Sequence, residues 1–424
     1  MREIRKTKKS AFWMILDNFC VDLKKNYLFF YAMKLKILVI FLFCYLFIFR
    51  IAVAEDKQVQ AKQPMARGIW VSVFSGKKLL YSEQGVHNLI AQCNEAKINE
   101  IYLQIFQSGN AYYDSRIADK TKYDQMVASA GLDTLDLLLR EAGQNNIKVF
   151  AWVNILGLGK NEKADILNKY GSSILTRDQY HRLSMISERT EIDKYYLRED
   201  MIFLEPGDPR VKTYMLAIIN EIINRYPLFS GIHLDYMRYP SPVPFVPGSR
   251  FNKFGLTYGY GPMNVERFKD KTGINNLDML NNEDEYLAWD NWKRQQITDF
   301  LRNIYTLVKV KSSNLLVSCA VIPVIERAYS NAFADWSAWL EEGVIDYVVL
   351  MSYSKDNQFV KETVKSSLGH RGKGKIYVGI GLFLMKNNPD LFFNQFRLIT
   401  ELACDGVVLY SIDDLSDQIT EYLN

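Results

Sequence analysis

Chemistry in this chain is concentrated in one stretch, Gly231-Ile232-His233-Leu234-Asp235-Tyr236-Met237-Arg238-Tyr239-Pro240. A short apolar run carries a histidine and an acid two residues apart, which puts both on one face of a strand. A buried strand normally reads as an unbroken Val/Ile/Leu run, and an idle buried charge is too costly to keep. Asp235 is therefore the prime candidate for a catalytic carboxylate, with an ion pair to Arg238 as its purely structural alternative. His233 is read either as a ligand-binding side chain or as a satisfied core histidine.

Other catalytic patterns are missing from the sequence. It has no Gly-x-Ser-x-Gly elbow, no His-Glu-x-x-His and no close pair of cysteines, and its 4 histidines argue against a transition-metal site. No metal or cofactor is expected. Carboxylate chemistry remains, and hydrolysis of a glycosidic bond by this route needs two acids, one to protonate the leaving oxygen and one to attack or to activate water. Glu326 is taken as the second acid, with Asp356 and Asp413 as competitors. Glu205, in Leu204-Glu205-Pro206-Gly207-Asp208-Pro209, is expected to shape the entry to a helix.

These residues need a frame that brings them together. Eight β-rich runs, at 68–74, 100–106, 148–154, 231–237, 315–321, 346–353, 375–381 and 406–412, alternate with amphipathic stretches at helical spacing. Eight such units predict an α/β fold of the (β/α)8, or TIM-barrel, type, with a doubly wound open sheet as the competitor. No Gly-x-Gly-x-x-Gly follows the first run, so the open sheet lacks its usual dinucleotide fingerprint. Two long inserts, after strands three and four, follow the strand ends at which a barrel keeps its site. The second insert holds the proline-rich stretch 241–248 and the aromatics Phe254, Tyr258 and Tyr260, a candidate groove wall or a packed cap. Inward-facing polar and aromatic residues near strand tips then gather Trp70, Ser72, Gln104, Asn154, His233, Asp235 and Tyr353 at the mouth. Of these, Trp70, Gln104, Asn154, His233 and Tyr353, with Tyr236 and Arg238, are the expected substrate contacts.

The N-terminus reads as targeting sequence. Met33-Lys34-Leu35-Lys36, an apolar run over 37–49 and Ala52-Val53-Ala54 have the order of a signal peptide. Expected boundaries are a preface at 1–32 outside the native protein, the signal or an uncleaved anchor at 33–54, a linker at 55–65 and a barrel over 66–424. Residues 1–54 hold ten Lys/Arg and three Asp/Glu, so the chain's +4 becomes about −3 after cleavage. That balance argues against a nucleic-acid partner. Membrane association is expected only through an uncleaved signal segment, and the location is secreted, periplasmic or cell envelope. Cys93, Cys319 and Cys404 sit in apolar contexts and read as buried free thiols. Aromatic content of 13%, with 26 Tyr and 7 Trp, suits the stacking of sugar rings as well as a large core.

Four stretches resemble the glycosyl hydrolase-like family 10 proteins. They are Ala66-Arg67-Gly68-Ile69-Trp70-Val71, Ala151-Trp152-Val153-Asn154, the His233-x-Asp235-Tyr236-x-Arg238-Tyr239-Pro240 signature, and Trp336 to Tyr353. The resemblance implies a TIM-barrel carbohydrate-active enzyme of the bacterial envelope, with Asp235 matching the acid of the signature and peptidoglycan glycan strands as the first polymer to consider. The chain departs from the family at Gln107-Ser108-Gly109-Asn110-Ala111-Tyr112-Tyr113, where many relatives resemble Arg-Gly-Asp followed by Ala-Tyr-Tyr, and at Glu205, where they resemble Asp. A barrel that binds carbohydrate without turning it over is the alternative reading.

Overall fold

The computed structural model describes residues 65–184, 201–240, 257–275, 277 and 283–424. The expectations for the preface, signal segment and linker at 1–64, and for the stretch 241–248 and Phe254, lie outside the described residues. Residues 65–424 form one compact unit. Its frame is eight parallel strands: β1 (Ala66–Val71), β2 (Glu100–Gln107), β3 (Lys148–Asn154), β4 (Gly231–Asp235), β5 (Leu316–Val321), β6 (Tyr347–Met351), β7 (Lys375–Gly381) and β8 (Gly406–Tyr410). Each pairs with its neighbour, and β1 pairs with both β2 and β8, for example Ile69 with Ile101 and with Leu409. The sheet is thus closed into the eight-stranded barrel that the alternation of runs implies.

Helices α1 (Glu83–Glu95), α2 (Thr134–Gln144), α3 (Pro209–Arg225), α4 (Glu283–Lys311), α5 (Trp336–Glu342), α6 (Asn357–Leu368), α7 (Pro389–Glu401) and α8 (Asp417–Leu423) follow the strands in turn. Their starts obey capping chemistry. Asp133, Asp208 and Asp356 accept hydrogen bonds from main-chain N–H groups of the first turns of α2, α3 and α6, and Pro209 occupies the first position of α3. The apolar stripe of α3, Val211, Met215, Ile218, Ile219 and Ile222, is buried. Among the described residues no helix is long and apolar enough to cross a membrane.

Strand periodicity splits the barrel into two apolar layers. Outward residues such as Ile69, Leu103, Val153 and Leu234 join the core beneath the helices. Inward residues form a separate aromatic core of Trp70, Tyr102, Phe150, Trp152, Tyr347 and Tyr377. Rings this large fit because small residues face them: a Cβ on Gly68 would lie 2.6 Å from the Tyr102 ring, and one on Gly406 would lie 2.6 Å from that of Tyr377. Burying each of these rings contributes about 2–3 kcal/mol.

Both inserts carry structure of their own. The first holds a short antiparallel pair, Gly157–Gly159 with Ile202–Phe203, and a helix over Asp165–Tyr170; the second holds a helix over Pro262–Thr272. Glu205 joins the two inserts. It is fully buried, accepts from the Tyr239 hydroxyl (2.8 Å), from Gly207 N (3.1 Å) and from Gly261 N (3.2 Å), while Asp208 caps α3. Glu205 thus holds the turn that leads into α3 and in addition clamps the two inserts to the exit of β4.

Candidate active site

Asp235 ends β4, where the ladder stops for a local reason. Tyr236 has φ +55°, a left-handed conformation that a tyrosine adopts only under constraint, and its N–H donates to Asp235 Oδ1 at 2.7 Å. On β3 the Trp152 indole N–H donates to Asp235 Oδ2 at 3.2 Å. The β3–β4 register sets Trp152 opposite His233 and Asn154 opposite Asp235. Two donors, one on β3 and one just past the end of β4, therefore fix the plane of the carboxylate at the barrel mouth.

Around it lies a cleft of about 800 Å³, open to solvent, at the C-terminal ends of the strands. Trp70, Gln104, Asn154, Tyr236, Arg238 and Tyr353 line it together with Asp235. Asp235 is the one carboxylate lining it among the described residues. The wall is largely aromatic: Tyr353 and Tyr410 are 5.6 Å apart, and Trp70 meets Tyr410 edge-on at 5.8 Å. Burial first, and then nearby groups including the Asp235 carboxylate, raises the Tyr353 and Tyr410 hydroxyls, so both remain protonated donors beside that acid. The Arg238 guanidinium lies 5.0 Å from the centre of the Tyr236 ring.

The neutral polar residues are also oriented. Gln104 Oε1 accepts from the Ser72 hydroxyl (3.0 Å) and from Val73 N (3.2 Å), so its amide nitrogen donates to Asn154 Oδ1 (3.3 Å). Asn154 is thereby turned to offer its own N–H₂ group as a donor beside Asp235.

His233 stands beneath the cleft rather than in its wall. It is fully buried, and burial lowers its pKa to about 3. Its Nε2 accepts from Trp70 Nε1 at 3.1 Å, which leaves the proton on Nδ1 for the Ser318 hydroxyl at 2.9 Å. Ser318 bonds Tyr347, the Tyr347 and Tyr102 hydroxyls are 3.0 Å apart, and Tyr102 donates to Glu100 Oε2 at 2.8 Å. A donor-only indole at one end and a carboxylate at the other impose one direction on the whole chain, from the mouth to the floor of the barrel. His233 is thus a satisfied core histidine that holds Trp70 in place.

Glu326 stands apart from the cleft as well. It is exposed on a short helix, Ile325–Ser330, and is not among the residues lining the cleft. Of its competitors, Asp356 is the α6 cap, and exposed Asp413 accepts from Ser75 at 2.6 Å. Sequence reasoning passed over Trp152, Met351, Phe383 and Tyr410, all in the cleft wall. Trp152 carried a usable signal, since it has the parity of Asn154 on β3. Phe383, beyond the tip of β7, had none. Among the described residues no group of three or more His, Cys, Asp or Glu side chains is placed to hold a metal ion.

Comparisons with known proteins fit this geometry. The glycosyl hydrolase DigH of Escherichia coli K12 is 23% identical over 378 residues, 79% of this chain and 78% of that protein. Glycosyl hydrolase YngK of Bacillus subtilis is 21% identical over 388 residues, 82% and 68% of the two chains. In fold the chain is similar to the catalytic domain of a Paenibacillus polymyxa beta-amylase, with a TM-score of 0.52 at 13% identity over 84% of this chain and 94% of that one. It is also similar to a beta-galactosidase of Bacillus circulans, with a TM-score of 0.54 at 10% identity over 83% and 51%. The family model for glycosyl hydrolase-like 10 matches residues 65–388, most of the barrel including the strand-four signature, and the chain belongs to that family.

Proposed function

We propose that the protein is a glycoside hydrolase that cleaves the glycosidic bonds of a polysaccharide, with Asp235 as a catalytic carboxylate. The observation that carries this reading is the setting of Asp235: a carboxylate held by two donors at the C-terminal tip of a barrel strand, inside an aromatic-walled cleft. Aromatic faces suit sugar rings, and the carboxamide of Asn154 with the hydroxyls of Tyr353 and Tyr410 suits their hydroxyl groups. The resemblance of the signature makes peptidoglycan glycan strands the first polymer to test, and the targeting-like N-terminus supports a location in the envelope or outside the cell.

A second reading, a barrel that binds glycan without cleaving it, is favoured by one observation: Asp235 stands alone as a cleft acid among the described residues, whereas the usual mechanism needs two. One experiment separates the two. Release of reducing ends from peptidoglycan strands and neutral polysaccharides is measured for the wild type and for Asp235→Asn. Hydrolysis that falls by about a thousandfold in the variant, with glycan binding and melting temperature kept, supports the enzyme. Binding without any release by the wild type supports the scaffold, and a large drop in melting temperature alone would reduce Asp235 to a structural group.

A further inference from the structure

The cleft does not end at its aromatic wall. Phe383, in the loop after β7, lines the Asp235 cleft on one side and a second basin of about 540 Å³ on the other. The residue is 41% exposed. It is also braced, meeting Tyr353 edge-on at 5.7 Å and Tyr410 at 6.1 Å, both in the cleft wall. An exposed ring held rigid between two hollows is a platform, because its contact area is available without loss of side-chain freedom on binding.

The chemistry of the basin narrows its ligand. Besides Phe383 it is lined by Lys355, Leu384, Asn387, Asn388 and Leu391, together with Lys386. Lys386 is paired with Asp414 at 2.6 Å, and Asp356, beside Lys355, accepts from Gln358 N and Phe359 N as the α6 cap. Asn388 precedes α7 without using its side chain as a cap. Two carboxamides, each donor and acceptor, beside leucines and an aromatic face match a ligand of many hydroxyl groups and apolar ring faces.

We propose that this basin is a further subsite for an uncharged sugar unit of the same chain that occupies the Asp235 cleft, with Phe383 as the platform over which the glycan crosses. The proposal rests on the glycan reading above and makes the protein a reader of chains rather than of single sugars. A short saccharide fills the cleft alone, whereas a longer one gains the contacts of the basin.

The test is a length ladder. Binding of β-1,4-linked N-acetylglucosamine oligomers and of cello-oligosaccharides, from disaccharide to about octasaccharide, is titrated against the full chain carrying Asp235→Asn. Affinity for at least one ladder should rise about tenfold once the oligomer is long enough to cross Phe383. Leu391→Trp, which fills the basin, should abolish that rise and leave the shortest ligands within about twofold; Asn388→Ala is a milder check should the first variant fold poorly. A flat ladder, no binding by any oligomer, or an equal loss at every length overturns the subsite. A rise that disappears in high salt overturns the uncharged ligand. Failure of the wild type to cleave any glycan while the rise persists removes the hydrolase reading and leaves the subsite standing; cleavage with the same kcat/KM at every length does the reverse.

Discussion

The indole nitrogen of Trp152 donates to Asp235 Oδ2 at 3.2 Å across the β3–β4 ladder, while Asn154, two residues further along β3, stands opposite Asp235 itself. One strand thus supplies both a donor that fixes the acid and an amide beside it. Trp152→Phe deletes the donor and keeps most of the ring. A hydrogen bond to a charged group contributes about 1.5 kcal/mol, so kcat/KM on a cleaved glycan should fall about tenfold, with the melting temperature little changed. An unchanged rate would mean that Asp235 does not depend on this contact.

His233 ties stability to pH with a definite sign. Its folded pKa is lowered from 6.5 to about 3 by burial. Between those values the unfolded chain binds the extra proton, so stability is full above about pH 6.5 and is lost as the pH falls, at up to about 1.4 kcal/mol per pH unit from this group. Urea unfolding of the wild type and of His233→Gln across that window should give a shallower slope for the variant, whatever its absolute stability. Equal slopes would place the histidine's proton outside the linkage.

Cooperation along the buried chain is measurable as a coupling energy. Tyr102 and Tyr347 touch through their hydroxyls at 3.0 Å, and each removal leaves a neighbour without its partner in a dry core. Tyr102→Phe and Tyr347→Phe should each cost about 1–3 kcal/mol, and the double variant should cost less than the sum by more than about 0.5 kcal/mol. Additive losses would show that the two hydroxyls act independently.

The clamp at Glu205 should be sensitive to charge rather than to shape. Burial raises its pKa, most strongly opposed by the Tyr239 hydroxyl, and the buried Lys293 ammonium nearby is lowered to about 8 by its own burial. Glu205→Gln keeps the volume but points an amide at N–H groups that now donate to the carboxylate. A loss of about 1–3 kcal/mol in unfolding free energy is expected, because the amide leaves a buried donor without its acceptor. A variant as stable as the wild type would mark the clamp as dispensable.

Much of the architecture was legible because strand runs buried on both faces leave an unmistakable pattern. The runs at 148–154 and 375–381 coincide with β3 and β7 residue for residue. Other ends were overread where the backbone turns on itself. The first run was carried to Phe74, yet β1 stops at Val71 because the N–H of Val73 goes to the Gln104 side chain. The fourth was carried to Met237, yet β4 stops at Asp235 because the N–H of Tyr236 goes to the acid. In both cases a side chain took the place of a strand partner, which apolar patterning cannot register. The polar contacts of the cleft followed from parity and position, whereas Tyr410 and Phe383 did not, since nothing in an aromatic residue's identity separates a cleft wall from a core. His233 was ambiguous for the same reason: its partners Trp70 and Ser318 come from strands 163 and 85 residues away.

The one-way order of the buried chain from Trp70 to Glu100 also limits how such a barrel can drift. Reversing any one link sets two donors or two acceptors face to face, so an exchange of hydrogen-bonding type on the floor of the barrel is viable only with a compensating exchange further up. Neutral variation there must proceed in matched pairs, and the surface on which a sugar would rest inherits its constraints from the opposite end of the molecule.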